Sequence, residues 1–91
     1  MSSNWYVYFV RCSDNSLYTG ITTDLNRRID EHNHSNKLGA KYTRVRRPVE
    51  LVYWEQQLDR KTASQREYQL KQLKKSTKED LIKKNKQKNN I

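Results

Sequence analysis

Five side chains in this 91-residue sequence have the types and the spacing of a reactive site. Tyr8 and Tyr18 lie in two runs typical of β-strands, and Arg28 and His32 follow in a segment with helical periodicity. At about 100° per residue, Arg28 and His32 fall on the stripe of that helix that must face the sheet. Because a buried unpaired charge is costly, an arginine in this position predicts a bound anion.

Glu67 adds a carboxylate to this set. It lies in the apolar stripe of a second predicted helix, between Ala63 and Leu70. Charge-assisted hydrogen bonds from Arg28 would hold phosphate oxygens, and the glutamate would bind a hard divalent cation through oxygen. The tyrosines would orient or deprotonate a water molecule, so the predicted chemistry is attack on a phosphate ester.

Each of these residues also has a purely structural interpretation. The strand tyrosines can pack a sheet, the helix arginine can pair with a surface carboxylate, and the histidine can complete a hydrogen bond in the core. Glu67 can pair with Lys71 four residues later on the same helix. Trp5 and Trp54 are expected in the core.

The charge of the chain predicts a polyanionic partner. The formal net charge is +9 and only 33% of residues are hydrophobic, which predicts one small domain with a compact core. Residues 1–30 carry three Arg and three Asp, whereas residues 71–91 carry eight Lys against one Glu and one Asp. Nucleic acid is therefore the expected partner, and a solvated surface is the alternative for the basic tail.

A second basic cluster lies in the Gly- and Pro-punctuated segment 35–48. Lys41 and Arg44 are expected to contact phosphates, while Tyr42 is expected either to stack on a base or to pack within the protein. The predicted nucleic-acid surface consists of Lys41, Tyr42, Arg44, Arg46, Arg47, Lys71 and Lys74.

Other features predict a cytoplasmic protein without a membrane segment. Cys12 is the single cysteine, so it is expected as a small core residue rather than half of a disulfide. The N-terminal residues have no signal pattern, and no apolar run approaches membrane-spanning length. A monomer is the default expectation.

Periodicity and turn residues predict an α+β fold with a three-stranded antiparallel sheet flanked by helices, in the order ββαβαα. The strands are expected at 5–12, 17–22 and 49–55, and the helices at 24–34, from Asp59 or Thr62 to about 75, and from 76 as a short final helix. A single domain is expected over 1–84, with its core in 5–75, followed by a flexible basic tail at 85–91.

The first turn decides whether Tyr8 and Tyr18 can act together. A three-residue loop at 13–15 pairs Cys12 with Ser16 and places both tyrosines on one face of the hairpin. A two-residue loop would place them on opposite faces. A shared site therefore predicts the three-residue loop or a bulge.

These patterns resemble the GIY-YIG nuclease superfamily, specifically its small single-domain bacterial group. The first motif appears as Tyr6-Val7-Tyr8 and the second as Tyr18-Thr19-Gly20, followed by a run to Arg28 that is similar to the family's second strand and helix start. Gly39-Ala40-Lys41-Tyr42-Thr43 resembles the basic loop of the structure-selective relatives. The resemblance covers roughly residues 5–75.

The resemblance implies a phosphodiesterase mechanism with one Mg²⁺ or Mn²⁺ ion. The catalytic residues that it implies are Tyr8, Tyr18, Arg28, His32 and Glu67, with Glu67 as the metal ligand. The tyrosines would flank the attacking water, with one of them or His32 assisting its deprotonation. Arg28 would stabilise charge on the phosphoryl group.

The chain departs from the family pattern in two places. Tyr6 stands where the first motif has glycine, which is expected to change how closely substrate approaches that strand. Asn85 is out of register with the asparagine that some relatives carry beyond the metal glutamate. No additional DNA-binding domain is expected, so a protein partner that supplies specificity is one implication.

The predicted function is that of a metal-dependent endonuclease on structured or single-stranded DNA, with DNA favoured over RNA. The main alternative is a nucleic-acid-binding module that keeps the scaffold but cleaves weakly or not at all, on DNA or RNA. A protein-interaction adaptor with a basic surface is a third interpretation.

Overall fold

A computed structural model describes residues 4–89 of the chain, with side chains described through residue 85. In chain order the elements are β1 (Trp5–Arg11), β2 (Leu17–Thr22), α1 (Leu25–His34), α2 (Lys41–Arg44), β3 (Glu50–Gln57), α3 (Arg60–Lys71) and α4 (Lys75–Asn89). The strands form one antiparallel sheet in the order β2-β1-β3. The predicted α+β architecture is confirmed, and the single turn α2 is an addition to the expected element order.

The hairpin between β1 and β2 has the three-residue loop that a shared tyrosine site requires. The Cys12 amide donates to the Ser16 carbonyl at 2.9 Å, and the Asn15 amide donates to the Cys12 carbonyl at 2.9 Å. Asn15 has a φ of 69°, a left-handed conformation that asparagine tolerates and that three-residue hairpin loops use. The expected loop is confirmed.

The register that follows from this loop places both tyrosines on the same face. Tyr8 lies opposite Gly20, and Val10 lies opposite Tyr18. Because opposed residues in an antiparallel pair share a face, Tyr8, Gly20 and Tyr18 all project to one side of the sheet.

The central strand β1 is buried on both faces. The Tyr8 face packs beneath α1 through Leu25 and Ile29, and its fully buried residues are Tyr8, Val10, Cys12 and Val49. The opposite face packs beneath α3 and α4, and its buried residues are Val7, Phe9, Val52, Tyr53, Ala63, Leu70 and Ile82. The site residues of β1 are therefore positioned between two cores.

The two tryptophans have different environments. Trp5 packs against the core beneath α3 and α4. Trp54 lies opposite Tyr8 on β3 and is 43% exposed, so the expectation that it is buried was wrong. Its side chain lies on the face of the sheet that α1 packs against, but at the β3 side, which α1 covers only in part.

The C-terminal helix is longer than expected. α3 ends at Lys71, and α4 begins at Lys75 and continues to Asn89, so the predicted short final helix was wrong and residues 85–89 have a helical backbone. Residues 90 and 91 of the expected tail lie outside the described part of the chain. Arg11 donates two hydrogen bonds to Glu79, at 2.7 and 2.8 Å, which join α4 to β1. No helix within residues 4–89 has the length and apolar character to cross a membrane.

Candidate active site

The centre of the candidate site is a buried contact between Tyr8 and His32. The Tyr8 hydroxyl lies 2.8 Å from Nε2 of His32. His32 is fully buried and Tyr8 is 1% exposed. The rings of Tyr8 and Tyr18 both meet the imidazole edge to face, with centroids 5.9 and 5.4 Å away. The helix α1 thus places His32 against both strand tyrosines, on the sheet-facing stripe where periodicity puts it.

Thr43 determines which nitrogen of His32 carries the proton. Its hydroxyl lies 2.9 Å from Nδ1 of His32 and donates its own proton to the Ala40 carbonyl at 3.1 Å. With that proton committed, the hydroxyl can only accept from His32, so Nδ1 is protonated. Nε2 therefore has a free lone pair, and it accepts the hydroxyl proton of Tyr8.

Gly20 provides the space that the Tyr8 ring occupies. A Cβ atom built on Gly20 would lie 2.7 Å from Cζ of Tyr8 and still closer to its hydroxyl oxygen. Real Cβ atoms essentially never approach so closely. The glycine of the second motif is therefore required so that the phenol can lie across β2 and reach the histidine.

The electrostatics of the site keep both central groups neutral near pH 7. Burial, and next to it the nearby positive charge of Arg28, lower the pKa of His32 to about 4. Burial raises the pKa of Tyr8 to about 12, although a hydrogen bond from Arg28 acts in the opposite direction. The hydrogen bond between them is therefore a neutral one in the free protein.

Arg28 lies on α1, half-buried beside this pair. Its Nη1 donates to Oε1 of Glu31 at 3.0 Å and to the Leu38 carbonyl at 2.6 Å. Burial opposes the charged form, but hydrogen bonds with Glu31 and Tyr8 hold the pKa of Arg28 above its ordinary value. Glu31 pairs with Arg28 at 3.0 Å and with Arg27 at 3.5 Å.

Glu67 lies on α3 and is close enough to raise the pKa of the Tyr8 hydroxyl by its negative charge. Its side chain is 23% exposed, and its Oε2 pairs with Nζ of Lys71 at 3.4 Å. In the described part of the chain, no three His, Cys, Asp or Glu side chains cluster as a metal site. One carboxylate is still sufficient for Mg²⁺, which commonly keeps several waters and binds through one or two carboxylates and substrate phosphates.

Tyr18 is the first member of an aromatic and cationic stack. The Tyr42 ring stacks on Tyr18 with centroids 5.8 Å apart, and the Arg46 guanidinium lies 3.9 Å from the Tyr42 centroid. Arg46 also pairs with Asp14 at 3.1 Å. Tyr42 therefore packs against Tyr18 and Arg46 while 39% of it stays exposed, so base stacking stays a prediction.

The other predicted nucleic-acid residues differ in their environments. Arg47 is half-buried and donates to the carbonyls of His32 and Ser35 at 2.6 and 2.9 Å. These bonds join its own segment to the C-terminal end of α1, next to the site. Lys71 is the partner of Glu67. The remaining three, Lys41, Arg44 and Lys74, are exposed cations.

Sequence reasoning missed Thr43 and Glu31. Thr43 lies in the aperiodic segment 35–48, where no pattern indicates burial, although it is fully buried. The one feature of the sequence that could have pointed to Thr43 is its position at the end of the stretch that resembles the family's basic loop, two residues after Lys41. Glu31 was visible only as a residue three positions after Arg28, a spacing that favours ion pairs on a helix.

Comparison with known proteins gives one consistent result. A family model described as the GIY-YIG catalytic domain matches residues 4–89. The UPF0213 protein DP2720 of Desulfotalea psychrophila is 60% identical over 79 residues, which cover 87% of this chain and 71% of the relative. A UPF0213 protein of Staphylococcus aureus is 50% identical over 78 residues, covering 86% of this chain and 93% of the relative.

A solved structure agrees with these sequence matches. The solution NMR structure of the UPF0213 protein BH0048 from Bacillus halodurans aligns with a TM-score of 0.55 and 44% sequence identity. The alignment covers 88% of this chain and 83% of that one.

Proposed function

The chain belongs to the GIY-YIG family, and on that premise we propose that it is a metal-dependent endonuclease that hydrolyses phosphodiester bonds in DNA. Structured or single-stranded DNA is the proposed substrate. The observation that carries the proposal is the buried chain of hydrogen bonds from Tyr8 through His32 to Thr43, between the opposite charges of Arg28 and Glu67. A cytoplasmic location and a monomeric state belong to the same proposal.

The hydrogen-bond chain supplies a path for the proton of an attacking water. The Tyr8 oxygen accepts that proton while the hydroxyl proton of Tyr8 passes to Nε2 of His32. In the free protein His32 is a weak base because burial and Arg28 lower its pKa. A phosphodiester bound at Arg28 offsets that positive charge, so substrate binding itself makes His32 more basic.

Arg28 and Tyr18 orient the reacting groups. Arg28 is held by Glu31 and the Leu38 carbonyl beside the Tyr8 hydroxyl, where its charge binds the non-bridging phosphate oxygens. Tyr18 packs against His32 and lies on the same face as Tyr8, so the two phenols flank the position of the water.

Glu67 is the residue that would hold Mg²⁺ or Mn²⁺ through its carboxylate oxygens. When bound, such an ion stabilises negative charge on the leaving oxygen. Lys71 neutralises Glu67 in the free protein, so it must release the carboxylate when an ion binds.

The second candidate is a nucleic-acid-binding module with little or no cleavage. It is favoured by the pairing of Glu67 with Lys71, which gives the carboxylate a structural role without any metal. The exposed cations Lys41, Arg44 and Lys74 would serve either function.

A cleavage assay at low salt distinguishes the two candidates. Single-stranded, nicked, flapped and branched DNA and single-stranded RNA are incubated with Mg²⁺ or Mn²⁺ and with the wild type, Glu67→Gln or Arg28→Ala. We expect cutting by the wild type alone, with binding largely retained in Arg28→Ala because the lysines carry it. Binding without cutting on every substrate would select the binding module, and equal cutting by all three proteins would reveal a contaminating nuclease.

A further inference from the structure

We propose that a pocket beside Trp54 binds one unpaired nucleobase of the nucleic-acid strand that enters the site; the identity of this ligand rests on the proposed function. The pocket encloses about 400 Å³ between the N-terminal end of α1 and the β3 side of the sheet. Its walls include Tyr6, Trp54, Leu25, Leu51, Thr23 and Asn26.

Two aromatic rings give the pocket a stacking surface. Trp54 is a large apolar side chain left 43% exposed, and its ring meets that of Tyr6 at 5.8 Å and an angle of 79°. Exposed aromatic side chains in concave sites are the usual platforms for single bases, because every base has a π-face that can stack. Because the two rings touch edge to face, a base would stack on the exposed part of Trp54, with Tyr6 as the adjoining wall.

The rim of the pocket offers polar groups that suit a base edge. Asn26 is exposed, and its side-chain amide makes no hydrogen bond to any residue in the described part of the chain. The Thr23 hydroxyl and the Asp24 carboxylate also line the pocket, and Asp24 caps α1 by accepting from the Arg27 amide at 3.0 Å. The lining thus combines apolar rings with polar groups, and a nucleobase has a stacking face as well as donors and acceptors on its edge.

The pocket lies on the same face of the sheet as the tyrosines of the candidate active site, at its β3 side. Trp54 lies directly opposite Tyr8 on the neighbouring strand, and Tyr6 precedes Tyr8 by two residues on the same face. A base in the pocket would therefore lie on the face of the sheet that carries Tyr8.

One wall of the pocket is formed by Tyr6, a residue at which this sequence departs from the family motif. It stands where the resembling motif has glycine, and its ring forms one wall of the pocket beside Trp54. A glycine in that position would remove the wall and leave Trp54 without its edge-to-face partner. The net charge of +9 favours approach of a polyanionic strand, whose bases would supply the apolar surface that covers Trp54.

Fluorescence of Trp54 tests the proposal directly. Trp5→Phe leaves Trp54 as the single tryptophan, because the chain contains two. This variant is titrated in EDTA, which prevents metal-dependent cleavage, with short oligothymidylate or with an abasic oligomer of the same length. We expect saturable quenching by the oligothymidylate and none by the abasic oligomer. Quenching by both, or by neither, would overturn the proposal.

Affinity measurements on further variants complete the test. Trp54→Ala should weaken oligothymidylate binding about tenfold or more while leaving abasic binding unchanged, and Trp54→Phe should retain most of the affinity. Tyr68→Ala is the matched control, since Tyr68 is an aromatic residue of α3 that is 67% exposed and lies outside the pocket. Equal affinities of the wild type and Trp54→Ala would overturn the proposal, as would a dimer that Trp54→Ala dissociates, because a second copy would then cover the pocket.

The outcome is separable from that of the proposed function. The titrations need no cleavage, so a protein that binds a base at Trp54 but never cuts would reject the nuclease and keep the pocket. Cutting that is unaffected by Trp54→Ala, with abasic and base-bearing oligomers bound equally, would reject the pocket and keep the nuclease.

Discussion

A Cβ atom at position 20 would lie only 2.7 Å from Cζ of Tyr8, so the Tyr8 phenol crosses β2 at the one residue of that strand without a side chain. The same phenol reaches His32 at 2.8 Å. The glycine of the second motif therefore acts on chemistry through the position of Tyr8, which lies opposite it in the sheet.

Gly20→Ala should displace the Tyr8 ring and break its hydrogen bond with His32. Because a shift of about 1 Å in a reactive group can cost about 100-fold in rate, we expect cleavage to fall by that order. Overpacking should also lower the free energy of unfolding by about 1–3 kcal/mol. Cleavage rates and denaturant unfolding measure the two effects, and a fully active Gly20→Ala protein would contradict the role of Gly20.

Thr43→Val should leave the buried Nδ1–H of His32 without an acceptor. We expect a loss of about 1–3 kcal/mol in unfolding free energy and a shift of the imidazole proton between its two nitrogens. Nitrogen chemical shifts of the His32 ring measure this directly. Thr43→Ser keeps the hydroxyl and should restore both the wild-type tautomer and the cleavage rate, whereas a merely space-filling role predicts that Val is the better replacement.

Stability should fall as the pH decreases from about 6.5 towards 4. Burial and Arg28 lower the pKa of His32 from 6.5 to about 4, so in this window the unfolded chain binds a proton that the folded protein does not. The effect is at most about 3 kcal/mol. His32→Gln should flatten this part of the unfolding profile, and His34→Gln, at the exposed histidine of the same helix, is the matched control.

Arg44→Ala and Arg47→Ala should behave differently although the residues are neighbours in a basic segment. Arg44 is exposed, so its loss should weaken oligonucleotide binding and reduce the salt dependence by about one counterion without affecting stability. Arg47 binds the carbonyls of His32 and Ser35, so its loss should chiefly lower the melting temperature. Binding at several salt concentrations and thermal unfolding separate the two, and equal effects on both measurements would contradict this division.

The sequence was sufficient where a local rule acts alone. Because the loop at 13–15 has an odd number of residues, Tyr8 and Tyr18 lie on the same face of the hairpin. Helical periodicity likewise places Arg28 and His32 together on the side of α1 that faces the sheet. Asp59 was one of two predicted caps for α3, and it forms a capping box with Thr62, the other. These features depend on residues close in sequence.

Other features depend on contacts between distant segments. Thr43 meets His32 across 11 positions, and Arg46 pairs with Asp14 across 32, so their roles could not be derived from local patterns. The exposure of Trp54 depends on how far α1 extends over the sheet, and this follows from how the helix packs rather than from a local sequence pattern. The docking of α4 depends on the burial of Ile82 and on the pair between Arg11 and Glu79, which are 68 positions apart.

Two side chains from the connection between α1 and β3 hold the same histidine. Thr43 binds the ring of His32, and Arg47 binds its backbone carbonyl. The connection thus helps to bury the imidazole, so amide hydrogens of α1 and of residues 40–47 should exchange as one cooperative unit. The connection should also resist insertions between those two anchors, because one extra residue would move one of them out of reach.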